Sequence, residues 1–131
     1  MAGNLAAGTS TGGLEATLPG RVGDSPLPGC GFYADDKIGA VALSGDGENI
    51  ARMTLATRIM RELEAEVPQV AAERGILSLE RIGGEAGAIT VDRAGRVGWA
   101  HNSSHFAVAW ATSDECEGRV SLQRHEEAGA G

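Results

Sequence analysis

A nearly continuous apolar run, Ile38-Gly39-Ala40-Val41-Ala42-Leu43-Ser44, stops abruptly at Gly45-Asp46-Gly47. A run of that length without polar alternation suits a strand buried on both faces. Beyond the glycines, Ile50, Met53, Ala56, Met60 and Leu63 recur at three- and four-residue steps. That spacing predicts one amphipathic helix from about residue 48, with Arg52, Glu62 and Glu66 on its wet side. Pro68 interrupts or restarts it, and a helical tendency runs on to about residue 81, with Gly75 as a weak point. A buried strand running through a tight turn into amphipathic helices demands a layered domain, with the helices packed on a sheet.

The rest of the chain fits that frame. Gly83-Gly84 closes the helical region. Residues 86–92 read as a strand, Arg93-Ala94-Gly95 as a hairpin turn and residues 96–101 as the returning strand. Residues 106–112 read as another strand, alternating through Phe106, Val108 and Trp110. Residues 4–10 read as a short strand, and residues 14–36 as a long irregular loop punctuated by Pro19-Gly20, Gly23-Asp24, Pro26 and Pro28-Gly29. Long ordered loops are usually functional. The expected class is α/β (α+β), a single domain over residues 1–122, with a disordered polar tail over residues 123–131.

Composition removes several functions. The chain has 131 residues, enough for one ordinary domain, and a formal net charge of -7. Phosphate backbones and anionic membranes are repelled by that balance, so no nucleic acid and no membrane partner is expected. Aromatics are only 4%, too few for a base-stacking platform. No stretch approaches the roughly 20 apolar residues of a membrane span. Cys30 and Cys116 are too few for a disulfide framework, so free thiols and a cytoplasmic location are expected.

Motifs for familiar chemistry are weak. The Gly45-Asp46-Gly47 turn lacks the third glycine or alanine of a dinucleotide loop, having Ile50 there, and Asp46 and Glu48 would repel a pyrophosphate. His101 and His105 have zinc-ligand spacing, but Asn102-Ser103-Ser104 between them reads as a turn; no metal and no cofactor are expected. No nucleophile elbow is present. More informative is Arg21-Val22-Gly23-Asp24 in the glycine-rich loop. It reads either as a loop salt bridge or as a clamp for a zwitterion, with guanidinium on carboxylate and aspartate on ammonium. Hydroxyls lie near it in sequence, at Thr9, Ser10, Thr11 and Ser44.

Gly3-Asn4-Leu5-Ala6-Ala7-Gly8-Thr9-Ser10-Thr11-Gly12-Gly13 resembles the segment that follows the nucleophile in plant-type asparaginases, the isoaspartyl peptidase family of N-terminal nucleophile hydrolases. Pro19-Gly20-Arg21-Val22-Gly23-Asp24-Ser25-Pro26, Tyr33-Ala34-Asp35-Asp36, Ser44-Gly45-Asp46-Gly47-Glu48 and Gly83-Gly84-Glu85-Ala86-Gly87 continue the likeness in order, over about residues 3–112. The resemblance implies a four-layer αββα sandwich. It implies a precursor that cuts itself into α and β subunits, and a working dimer of αβ pairs. Its threonine nucleophile, with its own α-amine as base, hydrolyses L-asparagine or isoaspartyl dipeptides.

By that resemblance, Thr11 supports the nucleophile's hydroxyl, Arg21 holds the substrate α-carboxylate and Asp24 the α-ammonium. Ser44 and Gly45 serve the oxyanion hole, and the Gly47 carbonyl helps bind the substrate amine. The nucleophilic threonine itself has no match, because the sequence opens inside the turn that follows it. The expectation is therefore a β-subunit chain truncated at its N-terminus and inactive without its upstream part. The alternative is a non-catalytic aspartate-binding or interaction protein. A missing first strand would also leave raw sheet edges.

Overall fold

The computed structural model describes residues 3–114 and 118–123. Its elements, in chain order, are β1 (Phe32–Asp35), β2 (Gly39–Gly45), α1 (Gly47–Met53), α2 (Leu55–Leu63), α3 (Pro68–Leu79), β3 (Ala86–Asp92), β4 (Val97–His101), β5 (His105–Trp110) and β6 (Arg119–Gln123). Strands β1-β2-β3-β4 form one antiparallel sheet in that order, and β5-β6 form a second. The architecture is mixed α+β, as the sequence predicts.

The helices cover one face of the larger sheet. Strand alternation decides which side chains they meet: Val41 and Leu43 from β2 and Ala86 and Ala88 from β3 join Ile50, Leu55, Ile59, Ile76 and Leu79 in one core. Small residues let the layers close. A Cβ on Gly98 would run into the backbone of Pro68 and Gln69, so the start of α3 lies directly on β4. A Cβ on Gly75 would run into the Ile59 side chain, so Ile59 of α2 packs directly on the bare Cα of Gly75 in α3. The Gln69 amide donates to Trp99 O (2.8 Å) and accepts from Trp99 N (3.2 Å), which satisfies backbone groups of the edge strand β4. Buried Thr90 places its hydroxyl 3.0 Å from both Pro68 O and Gly98 O.

The second sheet meets the other face of the first. Phe106 of β5 lies against the bare Cα of Gly87. Trp99 and Trp110 bring their rings to 4.4 Å, and Phe106 stacks on His101 at 5.3 Å.

Several sequence expectations need correction. The single helix is two, broken at Thr54, whose φ of 46° is left-handed and costly for a β-branched residue. Residues 4–10 form no strand: Leu5 N donates to the Asp36 carboxylate (2.7 Å) instead of to a ladder, and the Thr9 hydroxyl donates to Ser25 O (2.7 Å). The irregular loop contains β1, which pairs with β2 from Phe32↔Ala42 to Asp35↔Gly39. The returning strand begins at Val97, and β5 ends at Trp110, two residues earlier than expected. Strand β6 carries no signal in the sequence reading above. Cys116 and residues 124–131 of the expected tail lie outside the described residues.

Candidate functional site

The site is built on the loop that precedes β1, and helix α2 fixes that loop. A helix N-terminus has N–H groups with no partner inside the helix. At α2 the loop supplies them: Ala56 N donates to Cys30 O (3.1 Å), Thr57 N to Gly29 O (2.9 Å) and the Thr57 hydroxyl to Gly29 O (3.0 Å). Leu43 N of β2 donates to Gly31 O (2.9 Å), which ties the same stretch to the sheet. Leu27 N then donates to Asp24 O (2.9 Å), so Asp24 is held through a turn to an anchored segment. Gly31 makes this possible sterically, since a Cβ there would sit 2.6 Å from Asp24 O.

Arg21 lies beside Asp24 on a floor without side chains. A Cβ on Gly23 would come within 3.0 Å of the guanidinium carbon, and one on Gly47 within 3.0 Å of Nη2 and 2.9 Å of Asp24 Oδ1. The Glu48 carboxylate, in the first turn of α1, accepts from Arg21 Nε at 2.5 Å. Ser44 and Gly45 end β2 nearby. The turn beyond them is fixed by Asp46, whose N–H donates to Glu85 O (2.8 Å) and whose carboxylate accepts from Glu85 N (2.7 Å).

These residues surround one cleft of about 460 Å³. That lies within the usual range of small-molecule sites, about 300–1,000 Å³. Thr11, Arg21, Asp24, Ser44 and Gly45 line it, with Ile89 and Phe106 among its apolar walls. Gly47 packs against Arg21 and Asp24 from outside the lining. All six residues singled out in the sequence therefore gather at one place. The Thr9 hydroxyl is spent on Ser25 O, and Thr11 Oγ1 accepts from Gly13 N (3.0 Å).

Residues 1–120 match the family described as Asparaginase. The chain is 44% identical to the plant-type L-asparaginase of Pyrobaculum calidifontis, over 86% of this chain and 39% of that protein. It is 44% identical to the isoaspartyl peptidase of Salmonella typhimurium, over 82% and 36%. It is 40% identical to the isoaspartyl peptidase/L-asparaginase of Danio rerio, over 88% and 37%. The chain belongs to the asparaginase family. It spans a little over a third of the length of these relatives.

The electrostatics of this asparaginase-family cleft are uneven. Burial pushes the Asp24 carboxyl above the usual aspartate range, against the pull of backbone N–H groups and of Arg21. Asp24 is 5% exposed, and its Oδ2 is buried with no hydrogen-bond partner among the described residues. The hydrogen bond to Glu48 raises the Arg21 guanidinium further and holds the Glu48 carboxyl below its ordinary value. His101 is buried at the end of β4 and His105 opens β5; among the described residues no group of three or more His, Cys, Asp or Glu side chains could hold a metal ion. Sequence reasoning missed Glu48 as the partner of Arg21, because 27 residues separate them and no local spacing signals the contact. It also missed Phe106 as a cleft wall; only the packing of the second sheet on Gly87 reveals it.

Proposed function

We propose that this chain supplies the substrate-gripping part of an amidohydrolase acting on the side-chain amide of L-asparagine or of a β-aspartyl peptide. One observation carries the reading: Arg21 and Asp24 line one cleft together, with Arg21 Nη2 and Asp24 Oδ1 over the same bare glycine, Gly47, and with Asp24 Oδ2 buried without a partner among the described residues. A buried carboxylate oxygen without a hydrogen-bond partner is costly in a protein that gains nothing from it. An amino-acid head group can meet both. Arg21 takes the α-carboxylate, and Asp24 takes the α-ammonium. The reacting carbonyl then points toward Ser44 and Gly45, where a hydroxyl and backbone stabilise its developing negative charge. Gly47 contributes its carbonyl to the substrate amine, and Thr11 steadies the attacking group.

The attacking group in this mechanism is a threonine hydroxyl with a free α-amine beside it. Thr9 and Thr11 are chain-internal and have no such amine, so neither takes that role. Hydrolysis belongs to an assembly in which this β-subunit part meets an α subunit and forms a dimer of αβ pairs. Exposed Leu14, Leu18 and Val22, on the loop that carries the clamp, support a covering partner. The free thiol of Cys30 suits a cytoplasmic location.

Isothermal calorimetry with L-aspartate, the product common to both substrate classes, tests the clamp. The 131-residue chain binds it, and Arg21→Ala weakens binding by about 100-fold, the loss typical of a bidentate charged contact. Equal affinity in the two proteins sinks the reading. A second reading, a binding protein without turnover, predicts the same binding but no ammonia release from L-asparagine even when the rest of an asparaginase is supplied.

A further inference from the structure

Glu48 does not itself grip the head group, yet it makes the shortest polar contact to the clamp's cation. It approaches Arg21 only at Nε. Nη1 and Nη2 lie over bare glycines instead: a Cβ on Gly47 would be 3.0 Å from Nη2, and one on Gly13 4.0 Å from Nη1. A guanidinium presents a fixed planar fork, so a partner on Nε sets the direction in which the remaining N–H groups point. Here that partner leaves the two-nitrogen edge for a ligand carboxylate. The Glu48 side chain is 55% exposed and that of Arg21 only 22%. An ion pair so open to water adds little to folding, so its effect falls on the orientation and charge of the clamp.

The charge count gives the orientation a chemical consequence. One cation, Arg21, stands with two carboxylates, Asp24 and Glu48, leaving this end of the cleft negative by one charge. We propose that Glu48 is a specificity-determining residue: by satisfying Arg21 beforehand, it makes the cleft reject carboxylates that lack an α-ammonium. This inference rests on the head-group reading above. A zwitterion brings its own ammonium to the uncompensated carboxylate of Asp24. A plain dicarboxylate brings only more negative charge to a guanidinium already neutralised, and Asp24 repels it.

L-Aspartate and succinate differ only in the α-ammonium, so their affinity ratio isolates the effect. The experiment measures both by calorimetry on the 131-residue chain, on Glu48→Gln and on Glu48→Asp. The wild-type protein prefers L-aspartate. Glu48→Gln removes the charge and keeps the size; it lowers the preference by about tenfold, chiefly by strengthening succinate binding. Glu48→Asp keeps the charge and restores most of the preference. In parallel, the Arg21 Nε–H resonance is shielded from solvent exchange in the wild type and exposed in Glu48→Gln. If Glu48→Gln weakens or strengthens both ligands in proportion, Glu48 is only a surface ion-pair partner; that overturns this inference and leaves the clamp standing. If the wild type binds neither ligand, the head-group reading falls and this inference falls with it.

Discussion

The two faces of the four-stranded sheet are built on opposite plans. Under the helices, the sheet is closed by shape: Val41, Leu43, Ala86 and Ala88 interlock with Ile50, Leu55, Ile59 and Leu79. Polar groups there are few, and the one hydroxyl proton of buried Thr90 has two carbonyl acceptors within 3.0 Å. Over the cleft, the surfaces are held by hydrogen bonds and by absent side chains. Gly23, Gly31 and Gly47 have backbone conformations open to any residue; their bareness is needed for space, not for φ. One face packs the core, and the other gathers the charged groups Arg21, Asp24 and Glu48 beside a cleft. The first can be broken without touching a polar atom. The largest effect on the molecule is therefore expected from Ile59→Ala, since Ile59 is fully buried and fills the contact made by Gly75. Its loss costs about 3–4 kcal/mol through transfer and cavity terms, read as a lower midpoint in urea denaturation. A cost below about 1 kcal/mol, the size of a conservative Ile-to-Val trim, would mean that the helix face is not what holds the fold.

The same contrast explains what the sequence discloses. The helix-side face is legible because burial imposes a period. Ile50, Met53, Ala56, Met60 and Leu63 stand out by spacing, and all are buried. The break at Thr54 escapes the same reading, because the apolar spacing runs on across it while the backbone turns left-handed. Strand β1 is hidden for a related reason. Its four residues are half-buried or exposed, so no alternation marks it among the glycines and prolines. Residues 4–10 show the reverse error: they read as a strand, yet Leu5 N is taken by the Asp36 carboxylate and the Thr9 hydroxyl by Ser25 O. In the cleft, Arg21 and Asp24 are legible as a local pair of opposite charge. Glu48 is not, because it reaches Arg21 only through the fold.

The two plans meet at Thr57, which belongs to the packed helix α2 and bonds the loop of the cleft. Thr57→Val keeps the shape and deletes the hydroxyl bond to Gly29 O. The backbone bond from Thr57 N remains, so the loss is about 1 kcal/mol, that of a single hydrogen bond. Amide hydrogen exchange separates the faces in this variant. Faster exchange at Cys30 and Gly31, with α3 unchanged, is the expected pattern; uniform acceleration would make loop and core one cooperative unit.

The smallest effect has the most telling sign. Asp24 is a buried carboxylate whose Oδ2 has no hydrogen-bond partner among the described residues, and burial raises its pKa. The folded state then holds the Asp24 proton more tightly than the unfolded chain does. Between the ordinary aspartate value, about 3.9, and the raised one, the native state binds more protons, so this contribution to stability falls as pH rises through that window. Above the window the penalty is constant. Asp24→Asn keeps a carbonyl oxygen for the backbone N–H groups and removes the charge, so at neutral pH it melts higher, by about 2–4 °C. The advantage shrinks on acidification and vanishes once the wild-type carboxyl is protonated, while L-aspartate binding is lost at every pH. Thermal melts of the two proteins at neutral and acid pH check both halves. If Asp24→Asn melts lower at neutral pH, Asp24 is chiefly the structural partner of Arg21, and the cleft face stabilises the fold just as the helix face does.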